Sequence, residues 1–176
     1  MRHTSNEMAT GQGSVGTVSD SFLHDPLRWI PDVLLDVPMS KSRLLDLLSV
    51  RVEVEMAAVE LAATRASDSQ LADLQRLHAA ARAHHGDDFR LGPANRQFHL
   101  ELVRSADNDL LYMLMEKMVS AIEDAEQRAF SDLSMHANDH DDHGQILQAL
   151  LLRDASAVRD LMRSHLERVH TLALEW

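Results

Sequence analysis

The spacing of apolar residues from Ser40 onward is the feature that most restricts the fold of this chain. These residues recur at intervals of three and four positions, which matches the turn of about 3.6 residues in an α-helix. A half-buried β-strand would alternate every second residue instead, and no stretch beyond Ser40 does so. The pattern therefore predicts an all-α protein. The first helix is expected at about 42–66, with an apolar face formed by Leu44, Leu47, Leu48, Val52, Val59 and Ala62.

Capping and breaking residues divide the rest of the chain into five further helical segments. Ser67 opens "SDSQ", which resembles a capping box and predicts the start of a helix that continues to about 84. Gly86 and Gly92 are expected to bound a loop, and Pro93 suits the first turn of the next helix. Asp154 is the expected N-cap of the last helix. The whole pattern predicts an antiparallel bundle of about six helices, the last three near 109–132, 141–152 and 155–173.

Residues 1–39 lack this helical pattern. Residues 1–24 are polar and rich in Gly, Ser and Thr, and prolines interrupt the stretch that follows. The segment "GQGSVG" matches a dinucleotide-binding fingerprint, but no strand precedes it, so we reject that interpretation. We divide the chain into a flexible tail or linker, 1–39, and one helical domain, 40–176.

Charge and composition argue against several classes of function. There are 17 Lys and Arg against 28 Asp and Glu, which gives a formal net charge of −11. Because such an acidic surface repels phosphate backbones, direct nucleic-acid contact by this chain alone is not expected. The lack of cysteine excludes disulfides and thiolate metal sites. Neither a membrane-spanning apolar run nor a secretory signal is present, so we expect a cytoplasmic protein without membrane contact.

Three of the eleven histidines lie on apolar helix faces, where a polar side chain is unexpected. They are His99, His143 and His165, each with apolar residues three or four positions away. Singly, each is compatible with a core histidine that a neighbour satisfies. Together they would need three sets of hydrogen-bond partners, whereas one cation could bind a nitrogen of all three. Asn95, one turn before His99, can add a carbonyl oxygen, and this ligand set favours a divalent ion such as zinc or nickel.

Three segments occur in an order that resembles a known family. They are "RVEVEMAAVELAATRAS" from Arg51, "NRQFHLELVRSADN" from Asn95 and "HGQILQALLLRDASAVRDLMRSHLERV" from His143. Together they resemble the FCD domain, the C-terminal effector-binding domain of FadR-type regulators in the GntR family, over about residues 40–172. The resemblance implies an all-helical bundle that senses a small organic acid and forms dimers.

The resemblance also implies a metal site. In much of that family a divalent metal is held by an Asp or Asn and a His of a "D/N-x-x-F-H" segment, together with two later histidines. On this sequence the matching residues are Asn95, His99, His143 and His165. Asn95 stands where Asp is more common, which removes one negative charge. The change should weaken metal binding and favour an anionic effector.

Arg51 matches an arginine that can face the effector carboxylate in related domains. The alternative is a surface Arg paired with Glu55, four residues further along the same helix. Family members normally carry a winged helix-turn-helix before this domain, whereas only about forty residues precede it here. We interpret "GQGSVGTV" as a possible wing remnant and expect DNA contact only through a winged helix-turn-helix that this sequence lacks.

The main hypothesis is therefore a metal-containing, effector-sensing dimerisation domain of a transcription regulator, and not an enzyme. One alternative is a metal-dependent hydrolase or hydratase, since a metal held by three histidines can activate water. The sequence offers no convincing general base for it, because Asp141 and Asp142 look like the acidic start of a helix. The other alternative is a metal-free dimerisation module whose histidines are satisfied in the core.

Overall fold

The computed structural model describes residues 40–82, 88–129 and 139–175, which form six α-helices and no strand. The predicted all-α class is confirmed. The predicted tail or linker, 1–39, lies outside the described residues, so the domain division at residue 40 stays a prediction. None of the described helices combines the length and the apolar character needed to cross a membrane. The helices are α1 (Lys41–Arg65), α2 (Asp68–Arg82), α3 (Asp88–Arg104), α4 (Asp109–Ala129), α5 (Asp139–Leu151) and α6 (Ala155–Glu175).

Two of the predicted helix starts are confirmed by their caps. The Ser67 N–H donates to Gln70 Oε1 at 2.8 Å, and the Gln70 N–H donates to Ser67 Oγ at 3.2 Å, which is the reciprocal capping box. At α6, Asp154 Oδ1 accepts a hydrogen bond from the Ala157 N–H at 3.0 Å. Local sequence therefore sets these two boundaries.

The predicted start of the third helix is wrong. We expected a loop up to Gly92 and a helix from Pro93, but α3 begins at Asp88 and contains both residues. Proline lacks an N–H and so removes one hydrogen bond inside a helix, yet its fixed φ is itself helical. The turn before Pro93 can therefore stay helical. Asn95 consequently lies well inside α3 rather than in its first turn.

Four of the helices surround the middle of the bundle. α1 packs against α3, α3 against α5, α5 against α6, and α6 against α1, so these contacts form a closed ring. α2 packs outside this ring against α3 and α5, and α4 packs against α1 and α3. The ring brings together side chains from distant parts of the sequence.

The core is largely aliphatic, and few polar groups are buried in it. The largest apolar cluster draws on every helix except α4. A buried polar side chain is costly unless it has partners, so the exceptions point to a site. All five residues predicted from the sequence to form a site are among these exceptions. In the described part of the chain the buried polar residues are Arg51, Glu55, Asn95, His99, Ser105, His143 and His165.

Candidate metal centre

Three imidazoles from three helices meet inside the ring of helices formed by α1, α3, α5 and α6. The Nε2 atom of His143 lies 3.1 Å from that of His99 and 3.4 Å from that of His165. The Nε2 atoms of His99 and His165 are 3.3 Å apart. All three side chains are buried. The three histidines selected from helical spacing are therefore brought together, with one nitrogen of each pointing to a common position.

Helical periodicity explains why each ring points inward. Each histidine lies three or four residues from apolar side chains that are themselves buried, so it shares their face of the helix. Helices α3, α5 and α6 then turn these faces toward one another within the ring. The buried neighbours at these spacings are Leu102, Val103, Ile146, Leu147 and Met162.

Two carboxylates fix which nitrogen of two rings carries the proton. The Nδ1 atom of His99 lies 2.5 Å from Glu55 Oε2, and that of His165 lies 3.1 Å from Asp142 Oδ2. An ionised carboxylate only accepts hydrogen bonds, so each Nδ1 must be the donor. In the neutral rings the Nε2 atoms of His99 and His165 then carry lone pairs, and these face each other at 3.3 Å.

The pKa values of two of the three histidines are lowered. Burial lowers the pKa of His99 below its ordinary 6.5, although Glu55 opposes this effect. Burial brings the pKa of His143 well below 6.5, and neighbouring His99 and His165 lower it further. Burial alone would raise the pKa of Glu55, but His99 and Arg51 outweigh it and lower the pKa to about 2. At neutral pH His99 and His143 are therefore neutral, the form that binds metals, beside the ionised carboxylate of Glu55.

A divalent ion fits this arrangement. Zinc binds imidazole nitrogens at about 2.0–2.1 Å in tetrahedral geometry, which places ligand atoms about 3.3–3.4 Å apart. The three Nε2 separations of 3.1, 3.3 and 3.4 Å agree with that spacing. A proton between two of the rings could satisfy only one pair of nitrogens, whereas a cation can accept the lone pairs of all three. The donor set and its spacing therefore suit a metal.

Asn95 and Arg51 are the other two predicted site residues, and both are buried. Asn95 lies one turn before His99 on α3, and its role as a fourth ligand stays a prediction. Arg51 Nε donates to Glu55 Oε1 at 2.6 Å. The pair with Glu55, the alternative interpretation of Arg51, is therefore present, but it does not lie at the surface, because the Arg51 side chain is 11% exposed and that of Glu55 0%. The role of Arg51 toward an effector stays a prediction.

Glu55 and Asp142 contact the histidines in ways that the sequence interpretation missed. The sequence suggests Glu55 only as a partner for Arg51, although Glu55 lies four residues before Val59 on a buried face, where an acid is unexpected. Asp142 was interpreted only as an acidic helix start. It does lie near the start of α5, but its carboxylate also bonds His165 on α6. That contact depends on how two helices pack and has no local signal.

Two aromatic neighbours of His143 were also missed. The Phe98 ring stacks on the His143 ring, with centroids 4.3 Å apart and planes inclined by 13°. His78 on α2 lies beside Gly144, where an added Cβ would come within 3.3 Å of its Nε2. Phe98 directly precedes His99 in the sequence, which is the signal that could have suggested its place in the site. The imidazole of His143 is therefore held by stacking on the Phe98 ring.

Comparison with known proteins gives consistent sequence matches. The model of the FCD domain matches residues 46–168. The Exu regulon transcriptional regulator of Escherichia coli (strain K12) is 29% identical over 132 residues, which are 69% of this chain and 48% of that protein. The HTH-type transcriptional repressor GlaR of the same strain is 27% identical over 142 residues, or 73% of this chain and 63% of the repressor. The chain thus spans about half to two-thirds of the length of these relatives.

Two solved structures share the fold. A GntR protein of Streptococcus agalactiae superposes with a TM-score of 0.68 at 23% identity, covering 77% of this chain and 62% of that one. The E. coli protein McbR/YncC gives a TM-score of 0.66 at 20% identity, covering 78% of this chain and 71% of that one. At these identities the likeness supports the fold of the helical domain.

Proposed function

The chain belongs to the FCD domain family of GntR-type transcription regulators, and from this premise we propose that it is a metal-containing effector sensor. In this proposal the helical domain binds a divalent ion, zinc or nickel, and a small organic acid, and it forms a homodimer. The observation that carries the proposal is the convergence of three buried Nε2 atoms within 3.1–3.4 Å of one another. The ligands would be His99, His143 and His165, with Asn95 as the oxygen donor.

The charges near the histidines favour an anionic effector. Arg51 offsets Glu55, and Arg168, which contacts the Asp142 carboxylate, offsets that acid. Asn95 is neutral, and an imidazole binds a metal in its neutral form. A divalent ion would therefore add two positive charges that this set of residues does not balance. The carboxylate of an organic acid would supply negative charge there, with Arg51 as a second contact in this proposal.

Family membership supports the other parts of the proposal. The relatives that match are named as transcriptional regulators, so regulation, rather than turnover of a substrate, is the expected use of the domain. The general base required by the hydrolase alternative is not evident among the described residues, because Glu55 and Asp142 are each bonded to a histidine and an arginine. Control of transcription would act through a DNA-binding domain outside the helical domain.

Metal content tests the core of the proposal. Mass spectrometry of untagged protein should find about one divalent ion per chain in the wild type and none in the folded His143→Ala/His165→Ala variant. His170→Ala is the matched control, because the His170 Nε2 lies 3.4 Å from Ser49 Oγ, outside the cluster. A wild type that stays metal-free after incubation with zinc or nickel would overturn the metal site and favour the metal-free dimerisation module, leaving effector sensing to rest on family membership alone.

The effector and the dimer need separate measurements. Zinc-loaded protein should bind one or more small mono-, di- or tricarboxylic acids saturably in calorimetry, and the corresponding amides should not bind. Arg51→Lys should weaken that binding about tenfold or more, because the planar fork of hydrogen bonds is lost. Light scattering should give twice the monomer mass. Metal without any carboxylate binding would contradict the sensor.

A further inference from the structure

Two acidic residues contact the histidines from outside the candidate ligand set. We propose that Glu55 and Asp142 are positioning residues, which hold His99 and His165 with the Nε2 lone pair directed at the metal. This inference rests on the proposed metal site and adds residues that touch the ligands rather than the ion. In this proposal Glu55 and Asp142 also determine how strongly His99 and His165 bind the metal.

The contact made by Glu55 is the more enclosed of the two. Its carboxylate is 0% exposed and divides its two oxygens between different partners. Oε2 accepts from His99 Nδ1 at 2.5 Å, and Oε1 accepts from Arg51 Nε at 2.6 Å. Because α1 carries the carboxylate and α3 carries the imidazole, the bond also fixes the rotation of the ring relative to the bundle.

Asp142 makes the equivalent contact from another helix. Its Oδ2 lies 3.1 Å from His165 Nδ1 and also contacts the guanidinium of Arg168. Here the acid comes from α5, while the imidazole and the arginine both come from α6. Two unrelated pairs of helices thus each bring an arginine and an imidazole to one carboxylate, through separate oxygens at Glu55 and through the same oxygen at Asp142. That repetition favours a role at the rings over two accidents of packing.

A carboxylate that accepts a hydrogen bond from Nδ1 would affect how well the same imidazole binds a metal through Nε2. A neutral imidazole carries its proton on either nitrogen, and only the form protonated at Nδ1 offers Nε2 to a metal. A carboxylate at Nδ1 selects that form, orients the ring and makes it a stronger ligand. Removing an outer partner of this kind typically lowers metal affinity by about 10–100-fold. His143 has Phe98 stacked on it instead, so its ring plane is set by a different kind of contact.

The test uses Glu55→Gln and Asp142→Asn, which keep side-chain size and remove the charge. Glu60→Gln is the matched control for the first, since Glu60 is an exposed glutamate of α1 paired with Arg159 at 3.2 Å. Asp68→Asn is the control for the second, because Asp68 is exposed and pairs with Arg153 at 3.4 Å. Circular dichroism and thermal unfolding establish that each variant is folded. Asp142→Asn, in the more exposed contact, keeps the test informative if Glu55→Gln does not fold.

Two readouts separate positioning from a merely structural role. Nitrogen-15 NMR of the metal-free wild type should find His99 and His165 protonated at Nδ1, and each variant should lose that preference at its own ring. Zinc affinity, measured by competition with a chelator, should fall about 10–100-fold in each variant and stay unchanged in the controls. Glu55→Asp and Asp142→Glu should restore part of it.

The outcomes distinguish this inference from the proposed function. Wild type that binds no zinc overturns the metal site and the inference with it. Wild type that binds zinc, with variants that keep both the affinity and the ring protonation, overturns only the positioning role. Lower affinity with unchanged ring protonation also overturns it, because the loss would then come from a general loosening of the bundle.

Discussion

Two sets of three residues use the same chemistry in different surroundings. The inner triplet is Arg51, Glu55 and His99, and the outer triplet is Asp142, His165 and Arg168. In the inner triplet the arginine side chain is 11% exposed and the carboxylate 0%. In the outer triplet the arginine is 39% exposed and the carboxylate 20%. Similar bonds to histidine are therefore made once in the core and once near the surface.

The difference predicts unequal contributions to stability. Charges deep in a protein are poorly solvated, so removing one partner is expensive, whereas water can replace a partner near the surface. The inner triplet should therefore support both the fold and the candidate metal centre. The outer triplet should matter mainly for the metal. The following predictions test that separation, beginning with the largest effect.

Glu55→Ala should have the largest effect. It removes the carboxylate that Arg51 and His99 share, and breaking a buried charged pair costs about 3–5 kcal/mol. Urea unfolding of metal-free protein measures the change in the free energy of unfolding. Glu60→Ala on the same helix should cost less than about 1 kcal/mol, since both Glu60 and Arg159 are exposed. Equal losses in the two variants would remove the distinction between buried and exposed pairs.

Lowering the pH should have the second-largest effect, a loss of stability of the metal-free protein. The pKa values of His99 and His143 are lowered in the folded protein, so the unfolded chain takes up protons near pH 6.5 while the folded chain does not. The stability of the metal-free protein should be full above pH 6.5 and decline as pH falls below it, by at most about 1.4 kcal/mol per pH unit for each group. Urea midpoints in the presence of a chelator, at about pH 7.5 and about pH 5.5, measure this. Equal or greater stability at the lower pH would contradict the lowered pKa values.

Asp142→Ala should separate stability from metal binding. The expected loss of unfolding free energy is about 1 kcal/mol, because the carboxylate is near the surface. Zinc affinity should nevertheless fall about tenfold or more, since His165 loses its Nδ1 acceptor. Chelator competition and urea unfolding on the same sample give both values. A stability loss as large as that of Glu55→Ala would show that the outer triplet is equally important to the fold.

Arg168→Ala should have the smallest effect. Its side chain is 39% exposed, and ion pairs near the surface contribute about 0–1 kcal/mol and weaken with salt. Unfolding at low and high salt should therefore differ less in the variant than in the wild type. A loss that is larger and independent of salt would mean that Arg168 acts through packing of its side chain.

The sequence alone could predict that the three histidines face the interior, because helical spacing identifies which residues share a buried face. His99, His143 and His165 each lie on such a face, and the ring of helices turns these faces together. The spacing says nothing about which helices become neighbours, so the contact from Asp142 to His165 was not predictable from it. The start of α3 was missed for a different reason, because Pro93 is tolerated inside the helix at the loss of one hydrogen bond.

The three histidines come from α3, α5 and α6, and α6 is the last of the described helices. During synthesis from the N-terminus, the helices that carry His99 and His143 emerge before the helix that carries His165. A growing chain therefore cannot complete the cluster until His165 has emerged and α6 has docked against α1 and α5. An ion bound only by the folded domain would then stabilise the docked position of α6 and oppose its separation from α1 and α5.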